Sequence, residues 1–343
     1  MTATGLVALG WDEGWSEAMA AADVAGAAPG RVVRHDQAAV LVGLAEDQRH
    51  VHLGGGRRDP LAVGDWVAVA GDVVATILPR RSLLRRQDPM AGGEQLLAAN
   101  VDLVIIVAGL DRPVKAGRLQ RLATLATDAG AEPLVVLTKA DLAGDPGAEL
   151  ATAGAALPGV DAVAVAAPGG ALGGLEARVR DRTVVLMGES GAGKSTLLNA
   201  LAGEAVADTG GVRAGDAKGR HTTTARHLHV LPGGGCLIDT PGLRAVGLWV
   251  DPEAVTATFA DIEDLAPACR FRDCTHDHEP GCAVRAAVAD GGLDPGRLAA
   301  WAALRHEAEA TAARADERAR RQAERRGGRM ARAAQQLKRG QRR

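Results

Sequence analysis

Aromatic side chains are almost absent from this sequence. Its 343 residues include no tyrosine, two phenylalanines and five tryptophans. Proteins that bind single-stranded nucleic acid mainly by stacking bases need several exposed aromatic rings. Any contact with RNA must therefore depend on arginine and lysine at phosphates more than on stacked bases.

Cysteines and long apolar runs are also scarce. Four cysteines cannot build a dense disulfide framework in a chain of this length, and three of them lie close together. That pattern favours a metal site in a reducing compartment. No apolar run reaches the roughly 18 residues needed to span a bilayer, and Met1 to Glu17 lacks the cationic segment of a signal peptide. We expect a cytoplasmic protein with no membrane partner.

The formal net charge of −2 conceals an uneven distribution. Residues 314–343 contain 12 Lys/Arg and 3 Asp/Glu, so this basic C-terminal tail carries +9 and residues 1–313 carry −11. A basic end on an acidic body predicts a polyanionic partner. The alternative is a solvated helix with no partner. The Ala/Arg pattern predicts a long helix that frays near Gly327-Gly328.

Residues 1–30 form an Ala/Gly-rich N-terminal extension, and residues 31–85 contain five short β-type runs separated by glycine turns. Five such strands in so short a segment favour a small β-barrel of the OB-fold type. The predicted strands are Arg31–Val33, Val40–Val42, Val51–Leu53, Trp66–Val69 and Val73–Leu78.

Residues 86–247 alternate between predicted strands and helices, which indicates a parallel α/β sheet with ligands at the carboxyl ends of its strands. Residues 248–313 read as a helical domain interrupted by a Cys/His cluster. The predicted strands are Val101–Val107, Pro133–Leu137, Val163–Ala166 and Thr183–Met187, and Leu119–Asp128 is a predicted helix.

A glycine-rich loop matches the P-loop pattern G-x-x-x-x-G-K-[ST], between a predicted strand and a predicted helix. Its backbone N–H groups would surround phosphates. Lys194 would reach the β- and γ-phosphate oxygens as a catalytic cation, and Ser195 would bind Mg²⁺. The predicted nucleotide ligands in this loop are Gly188, Glu189, Ser190, Gly191, Ala192, Gly193, Lys194, Ser195 and Thr196.

A D-x-x-G motif follows the predicted strand Cys236–Ile238. Its Asp239 would hold a magnesium-bound water, and the N–H of Gly242 would meet the γ-phosphate. The intervening segment Arg220-His-Thr-Thr-Thr224 is a candidate switch. We expect Thr223 to bind Mg²⁺, with Thr222 or Thr224 as the alternatives.

The four residues Thr138, Lys139, Ala140 and Asp141 have the form of the guanine-reading [NT]-K-x-D motif. The Asp141 carboxylate can accept from guanine N1–H and from the exocyclic amine, a pair that adenine does not offer. Alone, such a short motif often only caps a helix. Together with the P-loop and D-x-x-G it predicts GTP as the ligand.

The order of these motifs is circularly permuted, because the guanine motif precedes the P-loop, which precedes D-x-x-G. The second switch therefore leads directly into the C-terminal domain, and we expect nucleotide state to reposition that domain. Leu243 follows D-x-x-G at the place where a Ras-like enzyme has its water-orienting Gln, so intrinsic turnover should be slow. His221 is a candidate catalytic residue, although it could equally contact only solvent or a partner.

Three thiols and one imidazole fall within 14 residues, in the pattern Cys269-x₄-Cys274-x-His276-x₅-Cys282. These are the preferred ligands of tetrahedral Zn²⁺, and four of them predict a structural site. Unrelated free cysteines are the alternative. Cys236 falls inside a predicted strand and reads as a small core residue.

These motifs together resemble the RsgA/YjeQ family of small-ribosomal-subunit-dependent GTPases. The resemblance rests on Lys218 to Thr224, on Asp239 to Leu243 and on the segment from Cys269 to Cys282. Val63 to Val67 and Ala99 to Asp102 also fit. Two positions depart from the family pattern. Thr138 replaces a frequent Asn, which predicts a looser link to the P-loop, and Val165-Ala166-Ala167 replaces a Ser-Ala motif.

Membership would imply an OB-fold, a permuted GTPase domain and a zinc-containing helical domain. It would also imply late maturation of the small ribosomal subunit, contact with rRNA, and hydrolysis of GTP to GDP stimulated by that subunit. The expected cofactors are Mg²⁺ and one structural Zn²⁺, and we expect a monomer off the ribosome. The alternatives are an rRNA scaffold that binds GTP with little hydrolysis, favoured by Leu243, and a P-loop kinase or ATPase, disfavoured by Asp141.

Overall fold

The structure is a computed structural model that describes residues 4–36, 39–53, 60–88, 94–166, 172–206, 226–239 and 250–340. It begins with two short helices, α1 (Thr4–Ala8) and α2 (Glu13–Ala21). Asp12 caps α2 by accepting from the Trp15 backbone N–H at 2.9 Å. The buried Trp15 ring packs 5.8 Å from the ring of Trp66, so these helices are attached to the strands that follow.

Five strands form a closed barrel: β1 (Ala28–His35), β2 (Ala39–Gly43), β3 (Gln48–Leu53), β4 (Trp66–Ala70) and β5 (Val73–Ile77). Their order is β1-β2-β3-β5-β4, and β4 closes the barrel by pairing with β1. Only the β3–β5 pair is parallel within it. The predicted OB-type barrel is confirmed. Its core is made of small branched side chains: Val32, Val40, Val42, Val51, Val67, Val69 and Val74.

A separate hairpin follows the barrel, formed by β6 (Leu83–Gln87) and β7 (Glu94–Ala99). Arg85 on this hairpin contacts Asp128 at 3.2 Å and Asp251 at 2.7 Å. The Asp128 carboxylate also accepts from the Asp251 backbone N–H at 2.7 Å. This network fixes the chain immediately before the C-terminal helices.

The α/β unit is a six-stranded sheet in the order β10-β9-β8-β11-β13-β12. Its strands are β8 (Leu103–Gly109), β9 (Glu132–Thr138), β10 (Ala162–Ala164), β11 (Thr183–Gly188), β12 (His227–Val230) and β13 (Cys236–Asp239). All neighbours are parallel except β12 and β13. The helices α3 (Ala116–Asp128), α4 (Pro146–Ala156), α5 (Leu175–Val179) and α6 (Lys194–Ala202) connect them. The central strands are continuous buried Val, Ile and Leu, as expected for a sheet covered on both faces.

The barrel and the α/β unit share one hydrogen-bonded sheet, because β1 pairs with β12 at Arg34 and His227. Arg31 strengthens this junction from a fully buried position, 1% exposed. Its guanidinium donates to four uncharged oxygens: Leu9 O, Gly64 O, Asn100 O and Thr183 Oγ1. Burial lowers the pKa of Arg31. One side chain thus connects the N-terminal helices, the barrel, the turn between β7 and the next strand along the chain, and the segment at Thr183.

The C-terminal part is helical, with α7 (Pro252–Thr258), α8 (Ala260–Leu265), α9 (Ala283–Ala289) and α10 (Pro295–Gly340). Arg121 of α3 and Glu307 of α10 form an ion pair at 2.6 Å. The expected fraying near Gly327-Gly328 is wrong, since α10 continues through both glycines. Two glycines cost a helix about 2 kcal/mol relative to alanine, and strong helix formers flank them. None of the helices in the described part of the chain is long and apolar enough to cross a membrane.

Candidate functional site

The carboxyl ends of four neighbouring strands collect the predicted nucleotide motifs at one edge of the sheet. The P-loop follows β11, the guanine motif follows β9, and Asp239 is the last residue of β13. The strand between β9 and β11 is β8, which ends at Gly109. Ligands of open α/β sheets bind at this edge, so the motifs meet although their order in the chain is permuted.

Two glycines of the P-loop are required by close packing. A Cβ on Gly188 would lie 2.2 Å from the Val107 carbonyl oxygen of β8. Gly193 has φ +87°, and a Cβ there would lie 3.0 Å from Thr138 Oγ1. The loop then enters α6 at Lys194, whose ammonium donates to Gly188 O at 2.9 Å and Glu189 O at 2.5 Å. The lysine therefore lies over the loop whose N–H groups are suited to phosphate.

The guanine motif is tied to the P-loop by two direct hydrogen bonds. Thr138 is 2% exposed, and its hydroxyl donates to Ala192 O at 2.5 Å. Lys139 has φ +60°, and its ammonium donates to Gly191 O at 2.7 Å. Threonine at this position keeps a direct link to the P-loop, because its hydroxyl reaches the Ala192 carbonyl; whether the link is looser than one from asparagine stays a prediction.

Asp141 lies exposed in a short 3₁₀ turn, Ala140–Leu142, that follows the left-handed Lys139. The Ala140 N–H donates to Val165 O at 3.1 Å. The loop after β10 therefore stands beside the carboxylate expected to read guanine. Ala167, the last residue of the expected Ser-Ala position, lies outside the described residues.

Asp111 and Arg112, just beyond β8, belong to this edge although sequence reasoning did not single them out. Asp111 Oδ2 accepts from Lys139 Nζ at 2.8 Å, and Arg112 contacts the same oxygen at 3.1 Å. First Arg112 and then Lys139 lower the pKa of Asp111 to about 2. The sequence does contain a signal for this pair: two polar residues follow a buried strand, and that strand lies next to the strand that leads into the P-loop.

An ion-pair cluster also ties the P-loop to α3. Glu189 contacts Arg112 at 3.9 Å and forms a close ion pair with Arg118 of α3. Because α3 also pairs with α10 through Arg121 and Glu307, this helix forms ion pairs both with the P-loop and with the C-terminal helix.

Asp239 is half-buried at the end of β13, opposite His227 in the strand register. Burial raises the pKa of this carboxyl, while His229 and Lys194 act in the opposite direction. Asp239 ends β13 and Lys194 begins α6 after β11, so both stand at the carboxyl edge of neighbouring strands, as a shared phosphate–magnesium site requires. His221, Thr222, Thr223, Thr224, Gly242 and Leu243 lie outside the described residues, so their roles stay predictions.

The four predicted metal ligands come together in the C-terminal part, their ligand atoms all within 4.8 Å of one another. His276 Nδ1 is 3.6 Å from Cys269 Sγ and 3.4 Å from Cys282 Sγ, and these two sulfurs are 3.9 Å apart. Tetrahedral zinc with usual bond lengths requires about 3.5 Å between nitrogen and sulfur and about 3.8 Å between sulfurs. The donor set and its spacing fit zinc.

The loop that carries His276 is folded around the carboxylate of Glu279. One oxygen accepts from the Thr275 N–H at 2.8 Å and from its hydroxyl at 2.6 Å. The other accepts from the N–H groups of Asp277 and His278, both at 3.1 Å. These bonds, the Thr275 hydroxyl first, lower the pKa of Glu279 to about 2. His276 itself has φ +63°, a conformation uncommon for residues other than glycine, and the Glu279 carboxylate bonds the residues on both sides of it.

The sulfurs also accept hydrogen bonds from the start of α9. Ala283 N–H lies 3.3 Å from Cys269 Sγ, and Arg285 N–H lies 3.4 Å from Cys282 Sγ. The His276 ring packs 5.3 Å from the buried Trp301 ring of α10. Such contacts orient ligands before a metal arrives.

Comparison with known proteins gives one consistent result. A family model described as RsgA GTPase matches residues 77–249. Small ribosomal subunit biogenesis GTPase RsgA of Streptomyces coelicolor is 46% identical over 98% of this chain and 96% of that protein. The protein of the same name from Xylella fastidiosa strain 9a5c is 48% identical over 73% of this chain and 74% of its own length.

Two solved structures have the same architecture. YjeQ from Thermotoga maritima superposes with a TM-score of 0.62 and 26% identity, over 82% of this chain and 98% of that one. YloQ, described as a circularly permuted GTPase, superposes with a TM-score of 0.59 over 83% of this chain and 96% of its own. At 24% identity, YloQ supports the fold alone.

Proposed function

The chain belongs to the RsgA GTPase family, and from that membership we propose that it hydrolyses GTP in the biogenesis of the small ribosomal subunit. The observation that carries the proposal is the meeting of three motifs at one sheet edge. The guanine motif donates two hydrogen bonds to P-loop carbonyls, from Thr138 and Lys139. These two bonds would link base recognition directly to phosphate binding.

Each motif then has a distinct task in the proposed reaction. Asp141 accepts from the guanine edge, and the loop from Gly188 to Thr196 surrounds the phosphates with N–H groups. Lys194 balances negative charge that develops on the phosphoryl oxygens. Ser195, Thr223 and, through water, Asp239 would hold Mg²⁺, which supplies further charge neutralisation when bound. His221 is the proposed group that orients the attacking water, and Gly242 would contact the γ-phosphate.

A structural Zn²⁺ is the proposed ligand of Cys269, Cys274, His276 and Cys282. The spacing of the described ligand atoms supports this assignment, and four protein ligands leave no open position for chemistry. The metal would therefore stabilise the helical domain, and the reaction would take place at the nucleotide site.

The partner is the small ribosomal subunit, and rRNA is the proposed surface that the protein contacts. The basic tail from residue 314 onward supports this choice because it suits a polyanion. We place the protein in the cytoplasm as a monomer between visits to the subunit. The division at residues 30, 85, 247 and 313 stays a prediction.

The permuted chain order suggests how nucleotide state reaches the C-terminal domain. The D-x-x-G segment leads within a few residues to Asp251, which is anchored by Asp128 and Arg85. A rearrangement of the second switch would pull on this anchor. Hydrogen exchange of the Cys/His region, compared between GDP and a non-hydrolysable GTP analogue, tests the link. Equal protection in both states would contradict it.

The proposed function is tested by GTP hydrolysis with and without purified small subunits at matched magnesium concentration. We expect strong stimulation by the subunit in the wild type and none in Lys194→Ala. Stimulation that survives in His221→Ala would remove that residue from the mechanism. If the wild type binds GTP tightly and the subunit has no effect on turnover, the protein is instead a GTP-binding scaffold.

A further inference from the structure

The loop between the first two metal ligands presents three neighbouring side chains to solvent. Arg270, Phe271 and Arg272 are all exposed, and Phe271 keeps 41% of its surface accessible. The Arg270 guanidinium lies over the Phe271 ring, 5.5 Å from its centroid. We call these three residues the Arg-Phe-Arg tip.

An exposed ring is unusual in this chain, which has only seven Phe and Trp residues. Four of them, Trp15, Trp66, Phe259 and Trp301, are at most 3% exposed and build the cores. Trp11 is partly buried against Trp66, at a centroid distance of 4.8 Å. Trp249 lies outside the described residues. Among the Phe and Trp rings that the structure describes, Phe271 is therefore the exposed one.

Other groups already hold the loop in place. The Arg270 N–H donates to Gly281 O at 3.0 Å, and the Cys274 N–H donates to Phe271 O at 3.4 Å. Cys269 and Cys274 fix both ends at the metal site. These contacts close the loop through its backbone and its two cysteines, without the Phe271 side chain.

The two arginines next to Phe271 in the sequence could also bind phosphate. Within the described part of the chain, the structure shows no ion pair for Arg270 or Arg272, although Asp273 follows them. A ring that stands between two arginines in the sequence, one of which lies over it, matches the chemistry of one unpaired nucleotide. A base can stack on the ring while its flanking phosphates meet the two cations.

We propose that the Arg-Phe-Arg tip binds an unpaired nucleotide of small-subunit rRNA, with its base stacked on Phe271 and adjacent phosphates on Arg270 and Arg272. This inference rests on the proposed function, because it assumes that the ribosomal subunit is the partner. Metal binding at Cys269 and Cys274 would give the tip a fixed position, so the stacking contact would require little ordering of the loop.

Full-length variants and purified small subunits test the proposal. Phe271→Leu keeps an apolar side chain without a ring, and Phe271→Trp keeps a ring. Because a stacked base loses about 1–3 kcal/mol when its aromatic partner is removed, we expect Phe271→Leu to bind the subunit about 5- to 150-fold more weakly. Phe271→Trp should bind like the wild type. Zinc content and GTP affinity should be equal in all three proteins.

Two further measurements identify the partner. Arg270→Gln and Arg272→Gln should each reduce the salt dependence of subunit binding by about one unit of slope. A photoreactive phenylalanine analogue at position 271 should crosslink to rRNA. Crosslinking only to ribosomal protein, or wild-type binding by Phe271→Leu, would overturn the proposal while leaving a subunit-stimulated GTPase intact. If wild-type hydrolysis did not respond to subunits, the proposed function would fail instead.

Discussion

The hydroxyl of Thr138 makes the shortest direct connection between base recognition and phosphate binding, so its removal gives a sharp test of the site. Thr138→Val replaces the hydroxyl by a methyl group of similar size. In the variant, the backbone carbonyl of Ala192 in the P-loop loses the hydrogen bond that it accepts from this hydroxyl at 2.5 Å. Since Thr138 is 2% exposed, bulk water does not readily replace that donor.

Leaving a buried carbonyl unsatisfied costs about 1–3 kcal/mol. Some of this cost is recovered because the P-loop can relax and the hydrogen bond from Lys139 to Gly191 O stays in place. We therefore expect the free energy of nucleotide binding to become less favourable by about 1–2 kcal/mol. This corresponds to about 5- to 30-fold weaker binding of GDP and GTP. Thr138→Ser, which restores a hydroxyl, should recover most of the affinity.

The assay is fluorescence titration with a labelled guanine nucleotide, accompanied by urea unfolding. Thr124→Val is the matched control, because Thr124 is also fully buried and donates to a backbone carbonyl, Gln120 O, at 2.9 Å. It lies in α3, where Gln120 O keeps its helical donor, so its loss should leave nucleotide affinity unchanged. Equal nucleotide affinities for the two valine variants would refute the reasoning.

Three other predictions concern Asp141, Glu279 and Arg31. Asp141→Asn should weaken GTP binding and improve binding of xanthosine triphosphate, whose C2 carbonyl can accept from the new amide; an unchanged preference in competition assays would exclude Asp141 as the base reader. Glu279→Gln should weaken Co²⁺ binding about 10- to 100-fold in spectroscopic titrations, whereas Asp273→Asn should not. Arg31→Met should lower the free energy of unfolding by about 2–4 kcal/mol, because the four orphaned acceptors outweigh the relief of guanidinium desolvation; a more stable variant in urea would reverse that balance.

Much of the fold can be predicted from the pattern of apolar and polar residues in short stretches of the sequence. The five barrel strands and the buried strands β8, β9 and β11 were all predicted, because their alternation or continuous hydrophobicity is visible within a few residues. The helix α3 begins at Ala116, three residues before the predicted Leu119, since its first turn contains only small and charged side chains. The hairpin of β6 and β7 was not predicted, because its strands are recognisable only through their mutual pairing.

The residues of the candidate sites also fall into two groups, those that the sequence predicts and those that only the fold reveals. Spacing brought out the P-loop, the guanine motif and the metal ligands, since each has its chemistry in consecutive residues. Asp111 was not singled out, and Glu279 entered only as part of a family motif with no role of its own, because the importance of both depends on which groups face them. Arg31 gives no sign of burial in the sequence, as its acceptors belong to residues 9, 64, 100 and 183.

The acceptors of Arg31 also determine when the N-terminal part of the chain can complete its contacts during synthesis. The barrel can close as soon as its own five strands have left the ribosome, but Thr183 is made 152 residues after Arg31. Cys236, whose thiol donates to Ala8 O, comes 228 residues after that carbonyl. Because domains fold in order of their emergence, the N-terminal helices of the nascent chain must wait beside a finished barrel while Arg31 still lacks its acceptors on Asn100 and Thr183. The last strand of the nucleotide site therefore completes the first part of the chain to be made.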